Sequence, residues 1–285
     1  IEVHVNSRKQ QLAADLPLLE LPAGFPRPPR QTFAGNRVFF TLPPILIGAL
    51  QDLSRGEKTT LFTALLAAFQ ALLHRLSRQE TILVGSPVGA RSQVETEKLV
   101  GYFLNTVVLR ADFPETLTFQ NLLRQTRDRV LGALSHQDVP LEKLVEALKV
   151  QRSPGHNPLF QALFQLLPGA PPAPRLPGLE VEPIPMDTGV AKFDITLSLT
   201  GQEGGLLGEW EYNTALFKAE TIHCMAAQYL TLLEGIVNHP EATVTTLPLL
   251  TEEENERIII EWNHTTAEFP EEITVPELFE KQVAA

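Results

Sequence analysis

Hydrophobic positions recur along this chain with two periods, and their alternation predicts an ordered series of strands and helices. Val38-Phe39-Phe40-Thr41-Leu42 reads as a strand. Pro43 and Pro44 then open a helix through Ile45, Leu46, Leu50 and Leu53, which Gly56 ends. Behind the capping candidates Thr59 and Thr60, the residues Leu61, Phe62, Leu65, Leu66, Phe69, Leu72, Leu73 and Leu76 follow a helical period. Their stripe is wide, which predicts a central packing helix. Strands are expected over 81–85 and 104–109, then a helix from Thr116 or Thr118 to Leu134 and a shorter one over 141–148 beside Pro140. Residues 160–166, 193–198 and 206–212 read as strands. The last strong pattern is a helix over 220–237 that buries Ile222, Met225, Tyr229, Leu233 and Ile236 before His239-Pro240 ends it.

Three stretches fit neither period. The first 30 or so residues read as a short helix and then an extended strap, because Pro17, Pro22, Pro26, Pro28 and Pro29 fix φ and bias their predecessors away from helix. Prolines at 168, 171, 172, 174, 177, 183 and 185 predict an exposed irregular loop. From Leu247 onward the chain reads as linker-like. Strands alternating with helices imply an α/β fold with a mixed sheet packed against helices, which alone identifies no function.

Composition narrows the picture by exclusion. The 285 residues, 44% of them hydrophobic, suffice for one large domain or two small ones. A formal net charge of -11 with scattered Lys and Arg argues against nucleic acid as a partner, since phosphate neutralisation needs clustered basic groups. The run Glu252-Glu253-Glu254 reads as a solvated helix start. A single cysteine, Cys224, permits no intrachain disulfide and predicts a reducing, cytoplasmic setting. Cys224 follows His223, but helix neighbours do not face each other, so a buried structural thiol is expected there. The opening residues are polar and mixed, which predicts no signal peptide. The most apolar run, 61–76, is broken by Thr63, Gln70, His74 and Arg75, which predicts no membrane span.

Several segments resemble the condensation domains of nonribosomal peptide synthetases. Val84-Gly85-Ser86-Pro87-Val88-Gly89-Ala90-Arg91 leads into Val100-Gly101-Tyr102-Phe103-Leu104-Asn105-Thr106, followed by His136-Gln137-Asp138-Val139-Pro140-Leu141-Glu142 and Arg152-Ser153-Pro154-Gly155-His156-Asn157-Pro158-Leu159. Lys192-Phe193-Asp194-Ile195 and Glu211-Tyr212-Asn213-Thr214 fit later strands, and Leu247-Pro248-Leu249-Leu250-Thr251 with Glu261-Trp262-Asn263-His264-Thr265 resembles a linker running into an adenylation domain. Two departures are visible: Leu141 stands where the family has Phe, and Ala23-Gly24-Phe25 replaces a polar turn in the strap.

The resemblance implies a chloramphenicol acetyltransferase-like lobe, with residues 1–35 as the strap from a first lobe, 36–246 as the carboxy-terminal lobe and 247–285 as the linker toward an adenylation domain. Family members catalyse amide formation with a His-His-x-x-x-Asp-Gly motif from the first lobe. The histidines here, at 4, 74, 136, 156, 223, 239 and 264, include no such motif. The expectation is therefore a partial condensation domain, inactive alone and serving as a structural platform. The alternative is half of an amide-forming acyltransferase, completed by a separate first lobe that carries the motif.

No catalytic residue and no metal ligand is assigned. Asn105, Arg110, His136, Gln137, Asp138, Arg152 and Asn157 are candidates for lining a substrate tunnel or shaping the lobe, and Trp262 and Asn263 for anchoring the linker. Against a tunnel role for Asn105 stands a structural hydrogen bond to backbone. Arg110 and Arg152 could meet a pantetheine phosphate or merely pair on the surface. His136 could act as a substitute base beside Asp138, although Asp138 is better read as a cap on the helix that follows. An indole needs burial and a partner for its N–H, which suits Trp262 to an anchoring role. The resemblance implies no directly bound cofactor, phosphopantetheine being carried on partner peptidyl carrier proteins. The implied partners are those carriers, a downstream adenylation domain and a first condensation lobe. A purely interacting module that docks a carrier or adenylation domain is a further reading.

Overall fold

The widest apolar stripe in the sequence becomes the central helix of the fold. In this computed structural model, which describes residues 2–12, 16–89, 95, 98–169, 178–179, 181, 184, 186, 188–202, 204–266 and 273–284, that helix is α3 (Leu61–Ser77). The Thr60 hydroxyl caps it by accepting from the Thr63 amide, and every residue from Thr63 to Leu73 is buried. Before α3 lie α1 (Glu2–Leu12), β1 (Gly35–Leu42) and α2 (Pro44–Gly56). After it come β2 (Thr81–Gly89), β3 (Leu104–Asp112), α4 (Phe119–Leu134), α5 (Leu141–Leu148), β4 (Ala162–Leu167), β5 (Ile195–Gln202), β6 (Gly205–Asn213) and α6 (Ala219–Asn238). Residues Ile1–Leu249 form one compact unit and Leu250–Ala285 a second.

The six strands form one sheet in the order β1-β6-β5-β4-β2-β3. β2, β4 and β5 run parallel, while β3, β6 and β1 pair antiparallel, so the sheet is mixed as expected. Strand alternation divides its residues between two faces. One face carries Val38, Val84, Leu109, Phe164, Leu197 and Trp210 into a core shared with α2, α3, α4 and α6. Phe69 lies between Phe164 and Trp210, at ring-centroid distances of 5.8 and 5.6 Å, and the Tyr229 hydroxyl donates to the Leu65 carbonyl at 2.9 Å. The opposite face has a smaller core, in which Leu83, Val108 and Leu163 meet Leu12 of α1 and Leu144 and Val145 of α5. Phe160 also belongs to it and packs against Gly85, where a Cβ would come within 2.2 Å of the ring. That close approach is why glycine stands in the middle of β2.

Three expectations need correction. Cys224 is exposed, because α6 turns Ile222, Met225, Ala226 and Tyr229 toward the core and leaves 223–224 on its outer side. The chain after Leu250 is not without structure: it forms α7 (Glu252–Ile259), a 3-10 turn (Glu261–Asn263) and α8 (Val275–Ala284). The acidic run opens α7 through a capping box, in which Thr251 accepts from the Glu254 amide and the Glu254 carboxylate accepts from the Thr251 amide. Finally, Asp138 does not cap α5, whose N-cap is Pro140 without a side-chain bond. Most of the proline-rich stretch 168–185, and Ala90 and Arg91 of the first motif, fall outside the described residues. Among the described residues no single helix is long and apolar enough to cross a membrane.

Candidate functional site

Two of the motifs meet at the start of β3. The Asn105 amide donates to the carbonyls of Gln137 and Val139 at 2.6 and 2.7 Å, and its own oxygen accepts from the Thr106 amide. All the polar capacity of this side chain except one lone-pair site is thus directed at backbone, which makes Asn105 a staple between β3 and the loop after α4. Gln137 and His136 are half-buried in that loop and Asp138 is exposed.

His136 faces another imidazole. Its Nδ1 lies 2.7 Å from Nδ1 of His4 in α1, with the rings edge to face at 4.8 Å. Two nitrogens at that distance share one proton, so one ring donates and the other accepts. This contact occupies the nitrogen that a carboxylate would have to engage to orient a catalytic imidazole, and among the described residues no hydrogen bond joins Asp138 to it. Nearby, Arg8 of α1 is buried and donates to the Val108 carbonyl at 2.8 Å and to Gln11 at 2.9 Å. Burial without a carboxylate lowers its pKa to about 10.

Arg110 and Arg152 have different fates. Arg110 is bound to Asp112 at 2.6 Å and reaches the Thr81 hydroxyl at 3.2 Å, contacts that lie within the β2–β3 pair. Arg152 is exposed and makes no ion pair among the described residues; with His156, Ser153 and Gln161 it lines an open groove of about 640 Å3. Asn157 shapes the same loop, its side chain accepting from the Leu159 amide at 3.3 Å and its carbonyl accepting from Gln161 at 2.9 Å. The groove therefore offers a free guanidinium beside a histidine, a donor set suited to a phosphate. In the second unit Asn263 donates to the Ile258 and Ile259 carbonyls and caps α7, whereas Trp262 is 68% exposed. The expected burial of its indole is not observed.

The strap is fixed by residues that pattern reasoning did not single out. Gln161 accepts from the Leu19 amide at 2.7 Å, so it ties the strap to the Asn157 loop. Arg27 forms a two-pronged ion pair with the buried Asp194, one prong at 3.0 Å. The available signal was a charged residue inside each apolar motif, Arg27 among prolines and Asp194 after Phe193.

Comparison with known proteins agrees with this architecture. Residues 9–259 match the family model of the condensation domain, and the chain belongs to that family. It is 39% identical over 281 residues to tyrocidine synthase 3 of Brevibacillus parabrevis, and 37% identical over 272 residues to surfactin synthase subunit 1 of Bacillus subtilis (strain 168). Those alignments take in 99% and 95% of this chain, but it spans only 4% and 8% of the two synthases. Among solved structures, a four-domain nonribosomal peptide synthetase bound to AMP and glycine superposes with a TM-score of 0.79 at 25% identity, covering 88% of this chain and 20% of that one. The X-domain from teicoplanin biosynthesis superposes at 0.81 with 22% identity, over 87% of this chain and 57% of its own. The fold is the chloramphenicol acetyltransferase-like fold of condensation domains.

Proposed function

We propose that these residues supply the carboxy-terminal half of a nonribosomal peptide synthetase condensation domain, which forms no amide by itself and acts as a platform for neighbouring domains. One observation carries the reading: every described histidine that makes a side-chain contact is engaged with something other than a catalytic carboxylate. His4 and His136 hold each other, His74 bonds the Gln79 carbonyl and stacks on Phe113, and His156 bonds the Asn157 carbonyl. The sole carboxylate contact among the described residues, His239 with Glu241 at 3.8 Å, is on the surface. Amide formation from a thioester needs a held proton acceptor near the attacking amine.

The second reading, half of an acyltransferase completed by a first lobe, draws on exposed apolar side chains at the β3 end of the sheet. Val100, Tyr102 and Leu104 are 105%, 87% and 56% exposed there, beside the loop that Asn105 anchors. Large apolar residues in solvent are the mark of a surface that takes a partner. In either reading the phosphopantetheine arm of a carrier protein would bring its phosphate to the groove of Arg152 and His156, and the adenylation domain would follow Leu250–Ala285. Titrating the chain with a separately made first lobe bearing His-His-x-x-x-Asp-Gly distinguishes the two. The platform reading predicts no amide product at any ratio, and the split-enzyme reading predicts product that saturates at one lobe per chain.

A further inference from the structure

Two histidines from distant parts of the chain direct the same ring nitrogen into one gap. His4 stands in the first turn of α1 and His136 in the loop after α4, 132 residues on, with their Nδ1 atoms 2.7 Å apart and their ring centroids 4.8 Å apart. The centroids are so much farther apart than the nitrogens that both Nδ1 atoms must face the gap. His4 is exposed and His136 half-buried, so water and ions reach it. As a contact between neutral rings the pair is satisfied only when one imidazole carries its proton on Nδ1 and the other on Nε2. Two Nδ1–H groups would clash, and two bare Nδ1 atoms would repel. The arrangement with both Nδ1 atoms bare is the one that a metal ion binds.

We infer that His4 and His136 form a binding site for a divalent transition-metal ion of the zinc class, which takes the place of the proton they share and clamps α1 to the motif loop. Zn–N bonds of about 2.0–2.1 Å at a tetrahedral angle place two ligand nitrogens about 3.3 Å apart, so the rings need to separate by only about 0.6 Å. The first turn of α1 has that freedom. The helix is anchored further along, where Arg8 turns inward to the Val108 carbonyl and Leu12 enters the small core. Among the described residues no third His, Cys, Asp or Glu joins the pair, so water fills the remaining positions and the ion is exchangeable. Two imidazoles with water suit Zn2+, Ni2+ or Cu2+ rather than the oxygen-seeking Mg2+ or Ca2+. Asn105 fixes the same loop to β3, so an ion here ties α1 to the edge of the sheet. The inference does not depend on amide formation, and it is tested on this chain alone.

Calorimetric titration of the untagged chain with Zn2+ is expected to give saturable binding of one ion per chain, and titration with Mg2+ none. His4→Ala alters an exposed helical position, where alanine keeps the fold, and is expected to weaken Zn2+ binding at least roughly tenfold, as is His136→Ala. Cys224→Ser removes the exposed thiol of α6 and is expected to leave the affinity unchanged. Nitrogen-15 spectra of the imidazoles give a readout that a merely structural pair would not move. One of the two rings is expected to carry its proton on Nδ1 in the metal-free chain, and both to carry it on Nε2 with Zn2+ bound. Amide exchange in α1 is expected to slow in the same titration. Absence of saturable Zn2+ binding, affinity unchanged in either folded alanine variant, or loss of binding in Cys224→Ser overturns the site. Nδ1 resonances unmoved by saturating Zn2+ overturn it equally.

Discussion

The two faces of the sheet are built from the same strands and held by different forces. On the α3 face nearly every inward residue is apolar and fully buried, and aromatic rings from β4, β6, α3 and α6 contact one another. The other face has a small apolar core only over β2, β3 and β4. Across β5, β6 and β1 it presents Thr196, Ser198, Glu209, Glu211 and Arg37, in register with one another. Polar contacts over long sequence distances join it to the strap and the motif loops, such as the two-pronged Arg27–Asp194 pair, the two bonds of Asn105 to the 137–139 loop and Gln161 to Leu19. The Leu19 side chain is itself buried in the larger core. Apolar burial is thus concentrated on one face, which also takes Leu19 and Leu21 of the strap, while the other face holds the motif loops largely by polar contacts.

That contrast makes ordered predictions. Phe164→Ala, at the centre of the large core, is expected to cost about 3–5 kcal/mol in denaturant unfolding. The comparison is broken if Phe160→Ala, in the small core, costs more. Arg27→Ala strands the buried Asp194 carboxylate and is expected to cost about 2–3 kcal/mol. The double variant with Asp194→Ala should recover part of that loss, and strict additivity would contradict a working ion pair. Asn105→Ala removes two bonds to carbonyls at a cost of about 1–2 kcal/mol. Amide exchange should rise across 136–140 with little change in α3, and uniform exchange would dissolve the distinction between the faces.

The smallest effect is electrostatic. Burial raises the Glu211 carboxyl above the ordinary glutamate value, against the opposing pull of Arg37. The folded chain therefore keeps this proton to higher pH than the unfolded chain does. The resulting stability is full below the ordinary value and is lost as pH rises through the raised one. Glu211→Gln is expected to flatten that decline in a stability-against-pH series; an unchanged slope would mean that the carboxyl is solvated like any other.

How much of this could be read from sequence follows the same division. Periodicity announced α3, α4, α6 and the sheet strands because those elements bury one stripe or one face, and a stripe is a local pattern. The strand ends were less legible: β2 runs on to Gly89 and β5 to Gln202, since pairing with β3 and β6 extends them beyond their apolar cores. The candidate site was legible as motifs but not as contacts. Asn105 and the His136 loop are more than 30 residues apart, and Arg27 and Asp194 are 167 apart. Nothing local distinguishes an exposed Arg152 from a paired Arg110, or an exposed Trp262 from a buried one. The His4–His136 contact was equally hidden, because α1 is mostly polar and is held by the buried Arg8 and the single core residue Leu12 rather than by an apolar stripe.

The central claim is that this polypeptide contributes the wall of a condensation site without its base. Single-turnover incubation of the chain alone with a pantetheinyl aminoacyl thioester and a free amino-acid amine tests it most directly, with amide product followed against the protein-free aminolysis rate. The expected rate is the protein-free one, unchanged by His136→Ala. Amide formation above that rate, abolished in the His136→Ala variant, would contradict the claim.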